Sequence, residues 1–287
     1  MRRIDLIAPA KINLYLRVLG LRDDGYHEID TLMVPISLAD RVGVEITGRG
    51  EISVRCPGRP ELDGPDNLAW RAAEMFRRQA GGDSGIRVVI EKNIPLAAGL
   101  GGGSSDAAAV LRALDRLLEH PIDSEELFSL AGRLGADVPF FLHSGPCRAT
   151  GRGTVCQPVS GLAPAWLVLA VAPFGLSTAE VYNKRKQLTK SGAGATNSPL
   201  AGCAGGEWNG LVVGNDLQPA SEALQPAIGR VCKALLKAGA EASLLTGSGP
   251  TVFGLCRTED EARAVAARVE KQPGWRYLLA YTVASAR

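Results

Sequence analysis

Apolar and polar residues alternate over positions 12–18, with Ile12, Leu14 and Leu16 on one side and Asn13, Tyr15 and Arg17 on the other. That period of two predicts a half-buried strand. Residues 4–7 are also strand-like, and Asp23-Asp24-Gly25 is a turn signal. Further strands are predicted over 31–37, 41–47, 51–55 and 86–91. Asn67 stands where it would cap a helix over 68–78. After 86–91 comes a long loop, 92–103, and then a helix from about Ser104. Its apolar residues Ala107, Val110, Leu111, Leu114, Leu117 and Leu118 recur at spacings of three and four. Ser124 is expected to cap a helix over 125–134 that ends at Gly135.

In the second half, 165–172 is apolar throughout, which suits a strand buried on both faces. Residues 190–210 are rich in Gly, Ala, Ser and Asn without periodicity, and are expected to form a mobile excursion. Then follow a helix (226–238), a strand–turn–strand (242–255), a helix (259–271) and a last strand (277–283). Strands and helices mix without a regular βαβ rhythm, so the expected class is α+β. No repeat of solenoid period is present.

Composition narrows the function classes. The 287 residues are 46% hydrophobic and 22% charged, the balance of a globular protein with ample core. A net charge of +2, from 32 basic and 30 acidic residues, argues against a nucleic-acid binder with a broad basic face. The basic start of the chain is followed by an apolar stretch broken by Asp5, Pro9, Lys11 and Asn13, so it does not read as a secretory signal. No uninterrupted apolar run is long enough to span a membrane. Six cysteines include no C-x-x-C pair and suggest reduced, mostly buried thiols. The expectation is a cytoplasmic, soluble protein with neither membrane nor nucleic-acid partner.

The chemistry concentrates in residues 95–105: Pro95-Leu96-Ala97-Ala98-Gly99-Leu100-Gly101-Gly102-Gly103-Ser104-Ser105. Four glycines in five positions allow close ligand approach, and the loop feeds directly into a helix. The unpaired N–H groups and positive dipole end of that helix suit an anion such as phosphate. A Walker A loop would need a lysine after the glycines, and here Ser104 follows. A dinucleotide fingerprint would start directly after the strand, whereas about seven residues intervene here. A glycine run by itself resembles a flexible turn, but set in a strand–loop–Ser-Ser–helix context it favours a phosphate loop.

Three other clusters are each ambiguous alone. Lys11 interrupts an apolar strand, either as an edge-strand lysine or as a cation that stabilises phosphoryl charge. Asp137, ahead of Pro139, is either a helix cap or a general base. The turn Thr246-Gly247-Ser248-Gly249 is either a plain hairpin or a second wall of the phosphate site. Tyr26-His27, after Asp-Asp-Gly, reads first as a surface turn.

Together, Pro9-Ala10-Lys11-Ile12-Asn13-Leu14, the 95–105 loop with Asp106, and Thr246-Gly247-Ser248-Gly249-Pro250-Thr251-Val252-Phe253 resemble the three motifs of the GHMP small-molecule kinases, in order along nearly the whole chain. Gly135-Ala136-Asp137-Val138-Pro139 and Asp24-Gly25-Tyr26-His27 narrow the resemblance to a branch whose substrate carries a cytidine diphosphate. The resemblance implies two α+β lobes, a ribosomal-protein-S5-like lobe over 1–160 and a GHMP lobe over 161–287, with the site between them. It implies ATP and Mg²⁺ as cofactors, a small alcohol as acceptor, and a monomer or weak homodimer. Lys11 and Asp137 would be the catalytic pair. Residues 95–105, Asn67, Leu68 and Lys92 would hold ATP. Asn13, Tyr26, His27, Thr178 and Tyr182 would hold substrate, with Tyr182 stacking the cytosine opposite Tyr26. No carboxylate presents itself as a direct metal ligand. Two rivals stay open: a family member acting on a mevalonate- or homoserine-type alcohol, and a nucleotide- or RNA-associated module of the same fold.

Overall fold

The computed structural model describes residues 2–190 and 206–283. The chain runs β1 (Arg2–Leu21), β2 (His27–Arg49), β3 (Ile52–Arg55), α1 (Leu68–Gln79), β4 (Ser84–Glu91), α2 (Gly102–Leu117), α3 (Ser124–Leu134) and α4 (Val138–Leu142). It continues with β5 (Cys147–Gly151), β6 (Val155–Pro158), β7 (Trp166–Val171), α5 (Thr178–Lys190), β8 (Gly206–Trp208), β9 (Leu211–Asn215) and α6 (Gln218–Leu224). It closes with α7 (Ala227–Lys237), β10 (Ala242–Leu245), β11 (Val252–Cys256), α8 (Glu259–Arg268) and β12 (Arg276–Tyr281).

Two sheets form, as expected for α+β. The larger has the order β3-β4-β2-β1-β9-β8, with β5 also pairing β2 and β6 pairing β5. The smaller is antiparallel, β10-β11-β7-β12. Helices α1 to α4 cover one face of the larger sheet, where Val42, Val44, Ile86 and Val88 meet Ala72, Phe76, Val110 and Leu111. The sheets pack on each other through Ile12, Leu14, Val34 and Ile36 against Leu167, Leu169, Phe253 and Leu255. Helices α7 and α8 cover the far side of the smaller sheet. The apolar run of β7 follows from this layering. Leu167 and Leu169 face the larger sheet, while Val168 and Ala170 face the helices. Truncating a side chain as enclosed as Phe253 costs about 3–5 kcal/mol.

Several expectations change in contact with the fold. The strands foreseen at 4–7 and 12–18 are one strand, and those at 31–37 and 41–47 are another. Each long strand bends at a register break, because Pro9 pairs with Ala39 while Ala10 pairs with Ile36. Asp123, not Ser124, caps α3, accepting from the Glu126 N–H at 2.8 Å. The 160/161 boundary falls between β6 and β7, yet β9 joins the larger sheet through Tyr15 and Gly214. Of the excursion expected at 190–210, Lys190 ends α5 and 206–210 carry β8 and its turn, while 191–205 lie outside the described residues.

Candidate active site

Lys11 of β1 pairs with Pro35 of β2 on one side, meets Leu100 of the glycine loop on the other and is 4% exposed, so it is no edge-strand lysine. With Ile12 turned to the smaller sheet, Lys11 and Asn13 face the opposite side, into a cleft of about 650 Å³. Lys11 Nζ donates to Asn13 Oδ1 at 2.9 Å and lies 3.7 Å from Asp137 Oδ2. Asn13 is fixed in turn: its Nδ2 donates to Thr31 Oγ1 at 2.8 Å, and its backbone N–H donates to Thr246 Oγ1 at 3.2 Å. Asp137 stands at the N-cap of α4 but makes no capping hydrogen bond. Its carboxylate, 37% exposed, borders the cleft instead. The capping reading of Asp137 is therefore not what its side chain does.

The glycine loop is held by contacts that side chains would break. The Lys11 N–H donates to Leu100 O at 2.9 Å, tying the loop to β1. Gly99 has φ +74°, and a Cβ there would lie 2.7 Å from Gly249 O and 2.8 Å from Thr246 O. Gly101 has φ +73°, and its Cβ would lie 2.9 Å from Phe141 Cζ. Both positions therefore exclude other residues on two counts. Gly101 precedes α2 with no side-chain cap, which leaves the first-turn amides of the helix open to an anion. A groove of about 370 Å³ runs along residues 95–104, with Leu68 and Lys92 on its walls. Gly99, Gly101 and Ser104 line both this groove and the cleft. Gly247 and Ser248 line the cleft as well, which gives the second glycine turn its place beside the loop.

Not every expected ATP residue faces the groove. Asn67 uses its side chain for structure: Oδ1 accepts from the Ala69 N–H at 2.9 Å and Nδ2 donates to Leu62 O at 2.9 Å. Ser105 is buried, its Oγ without a partner. Lys92 borders the groove, but its ammonium is bound by Asp40 and, at 2.6 Å, by Asp106. Burial opposes that charge, yet Asp106 and Asp40 outweigh it and hold Lys92 above the usual lysine value. A loose cation aimed at nucleotide phosphate is therefore not what Lys92 provides.

At the far end of the cleft, His27 and Tyr182 stack with ring centroids 4.6 Å apart. Burial, then Arg185 and Lys186, lower the His27 pKa, so the ring is neutral at pH 7. Tyr182 is thus paired with His27 rather than opposed to Tyr26 across an open slot. Tyr26 is covered by the Arg152 guanidinium, 3.5 Å from its ring centroid. Thr178, one turn before Tyr182 on α5, hydrogen-bonds Ser248 across the cleft at 2.8 Å. Arg152 was missed from the sequence because the β5–β6 hairpin was not foreseen, although Gly151-Arg152-Gly153 is a turn signal.

Comparison with known proteins gives this geometry a family. Residues 67–145 match GHMP kinases N terminal domain, and residues 204–274 match GHMP kinases C terminal. A 4-diphosphocytidyl-2-C-methyl-D-erythritol kinase of Anaeromyxobacter sp. (strain K) is 44% identical over 98% of this chain and 91% of its own length. One from Geobacter sp. (strain M21) is 41% identical over 96% and 97%. A crystal structure of 4-(cytidine 5'-diphospho)-2C-methyl-D-erythritol kinase superposes with a TM-score of 0.75 at 35% identity, covering 97% of this chain and 99% of that one. Homoserine kinase from Cytophaga hutchinsonii has a TM-score of 0.71 at 18% identity, over 99% and 95%, and shares the fold. The chain belongs to the 4-diphosphocytidyl-2-C-methyl-D-erythritol kinase family of the GHMP kinases.

Proposed function

We propose that the chain transfers the γ-phosphoryl group of ATP to the 2-hydroxyl of 4-diphosphocytidyl-2-C-methyl-D-erythritol. The observation that carries this is the meeting of two cavities at Gly99, Gly101 and Ser104, with Lys11 and Asp137 on the acceptor side. ATP lies along the groove with its phosphates on the α2 amides. The cytidyl end reaches His27 and Tyr182, where an aromatic pair and a neutral imidazole suit a base's face and edge. Asn13, Tyr26 and Thr178 complete the substrate end.

Asp137 accepts the proton of the attacking hydroxyl as its oxygen bonds to the γ-phosphorus and the bond to the β-phosphate oxygen breaks. Lys11 Nζ meets the charge that develops on the transferred group, held at its post by Asn13. No covalent enzyme intermediate is required, because positioning and electrostatics supply the rate. Among the described residues no cluster of His, Cys, Asp or Glu has the makings of a metal site. The hydroxyl-bearing Ser104, which lines both cavities, would be the residue nearest a Mg²⁺ ion carried mainly by the nucleotide, and the ion would offset phosphate charge there.

An ADP-release assay with the cytidyl alcohol, mevalonate and homoserine tests the proposal. Turnover is expected with the cytidyl compound. Robust turnover of either other alcohol with none on the cytidyl compound would overturn it.

A further inference from the structure

A third cavity, of about 360 Å³, is walled by Phe140, Phe141 and His143 at the end of α4. It opens where β1 and β2 lose register, so Ser37 and Leu38 have no partner on β1. Arg112 of α2 is the one permanently charged side chain on its walls, and among the described residues it has no hydrogen bond or ion pair. Burial, then the nearby Arg116, work against its charged form. A half-buried guanidinium with no acidic side chain against it, set among aromatic rings, has the chemistry to take an anion. The rim is apolar too, with Ile7 57% and Tyr281 47% exposed.

The cavity also touches the active site. Phe141 is its wall on one side, and on another the ring closes on Gly101 and the stem of Lys11. A Cβ on Gly101 would lie 2.9 Å from Phe141 Cζ and 3.1 Å from Lys11 Cγ. Asp137 begins the helix that carries Phe141.

We propose that this cavity binds a small organic anion with an aromatic-sized apolar body, its acidic head on Arg112, and that occupancy alters phosphoryl transfer through Phe141. The size and mixed lining suit such a ligand. The binding half stands by itself, while the coupling half rests on the kinase reading above.

The test uses 8-anilinonaphthalene-1-sulfonate as a fluorescent probe with the full chain. One saturable site is expected, unchanged by Lys11→Met and not displaced by ATP. Arg112→Gln should weaken binding at least tenfold with thermal stability retained, and Arg112→Lys should recover most of it. A purely apolar pocket would bind the probe as well or better in Arg112→Gln, and that result overturns the site. So does displacement by ATP, or loss of binding on dimerisation over Ile7 and Tyr281. For the coupling, saturating probe should change kcat at least twofold in the wild type and not in Arg112→Gln. An unchanged kcat overturns the coupling. If the chain shows no turnover at all, the kinase reading fails, and the fluorescence arm still judges the site.

Discussion

Lys11 and Lys92 both reach the glycine loop, the first beside Gly101 and the second beside Gly102. Their side chains are 5% and 6% exposed. Lys11 has one neutral hydrogen-bond partner, Asn13, and one carboxylate at 3.7 Å that stays open to the cleft. Lys92 is bound by two buried carboxylates, and Asp40 is further tied to the Asn93 and Ile94 amides at 2.5 and 2.8 Å. One lysine retains charge to give to a ligand. The other has given its charge to the fold, clamping the start of the loop to β2 and α2. Burial and proximity to the loop are common to both, so neither distinguishes a lysine turned to the cleft from one tied into the fold. The partners do.

The comparison breaks most sharply at the proposed catalytic pair, Lys11 and Asp137. Asp137→Asn should lower kcat by on the order of 10³ while ATP still binds, read by ADP release and nucleotide titration. Full activity in that variant would remove the distinction between the two lysines. Lys92→Met should act on the fold instead. It strands two buried carboxylates and should cost about 3–5 kcal/mol in urea unfolding, with kcat of the folded fraction far less affected than in Asp137→Asn.

The same cluster has a pH signature. Burial pushes Asp106 up to about 7, against the pull of Lys92, from an ordinary value of 3.8. Between those values the native carboxyl keeps a proton that the unfolded chain has lost. Its contribution to stability therefore falls as pH rises from about 4 to about 7, and is level above that. Unfolding of Asp106→Asn across this window should show a flatter slope than the wild type; an equal slope would remove Asp106 as its source.

Smaller effects sharpen the contrast at the two ends of the site. Tyr182→Ala should raise KM for the cytidyl substrate about 5- to 150-fold, the worth of one stacked base, and leave KM for ATP alone. Equal changes in both would argue for an acceptor without a base. Asn67→Ala should cost about 1 kcal/mol of thermal stability through the lost cap, with KM for ATP unchanged. A rise in that KM instead would return Asn67 to the nucleotide.

Much of this was legible along the chain. Strand alternation at 12–18, the apolar run at 165–172, the Asn67 cap and the glycine loop are local patterns, set by neighbours a few residues apart. Helix α5 was not legible, because its 13 residues are mostly polar and, among those whose burial is described, only Val181 is fully buried. Arg152 was hidden for a related reason, since its hairpin has weak strands at the sheet margin.

The sequence by itself determined the main strands and helices of the first 134 residues, the glycine loop and, through motifs spread from Pro9 to Phe253, the family. Tertiary structure alone decided what each polar side chain faces. Asp137 stands at a cap position and does not cap, Lys92 lies by the loop and is neutralised, and Tyr182 stacks on His27. The reason is physical: the worth of a charge or a ring depends on desolvation and on partners supplied from far along the chain. Asp40 and Lys92 stand 52 residues apart, and Asn13 and Thr246 stand 233 apart. No local pattern encodes those meetings.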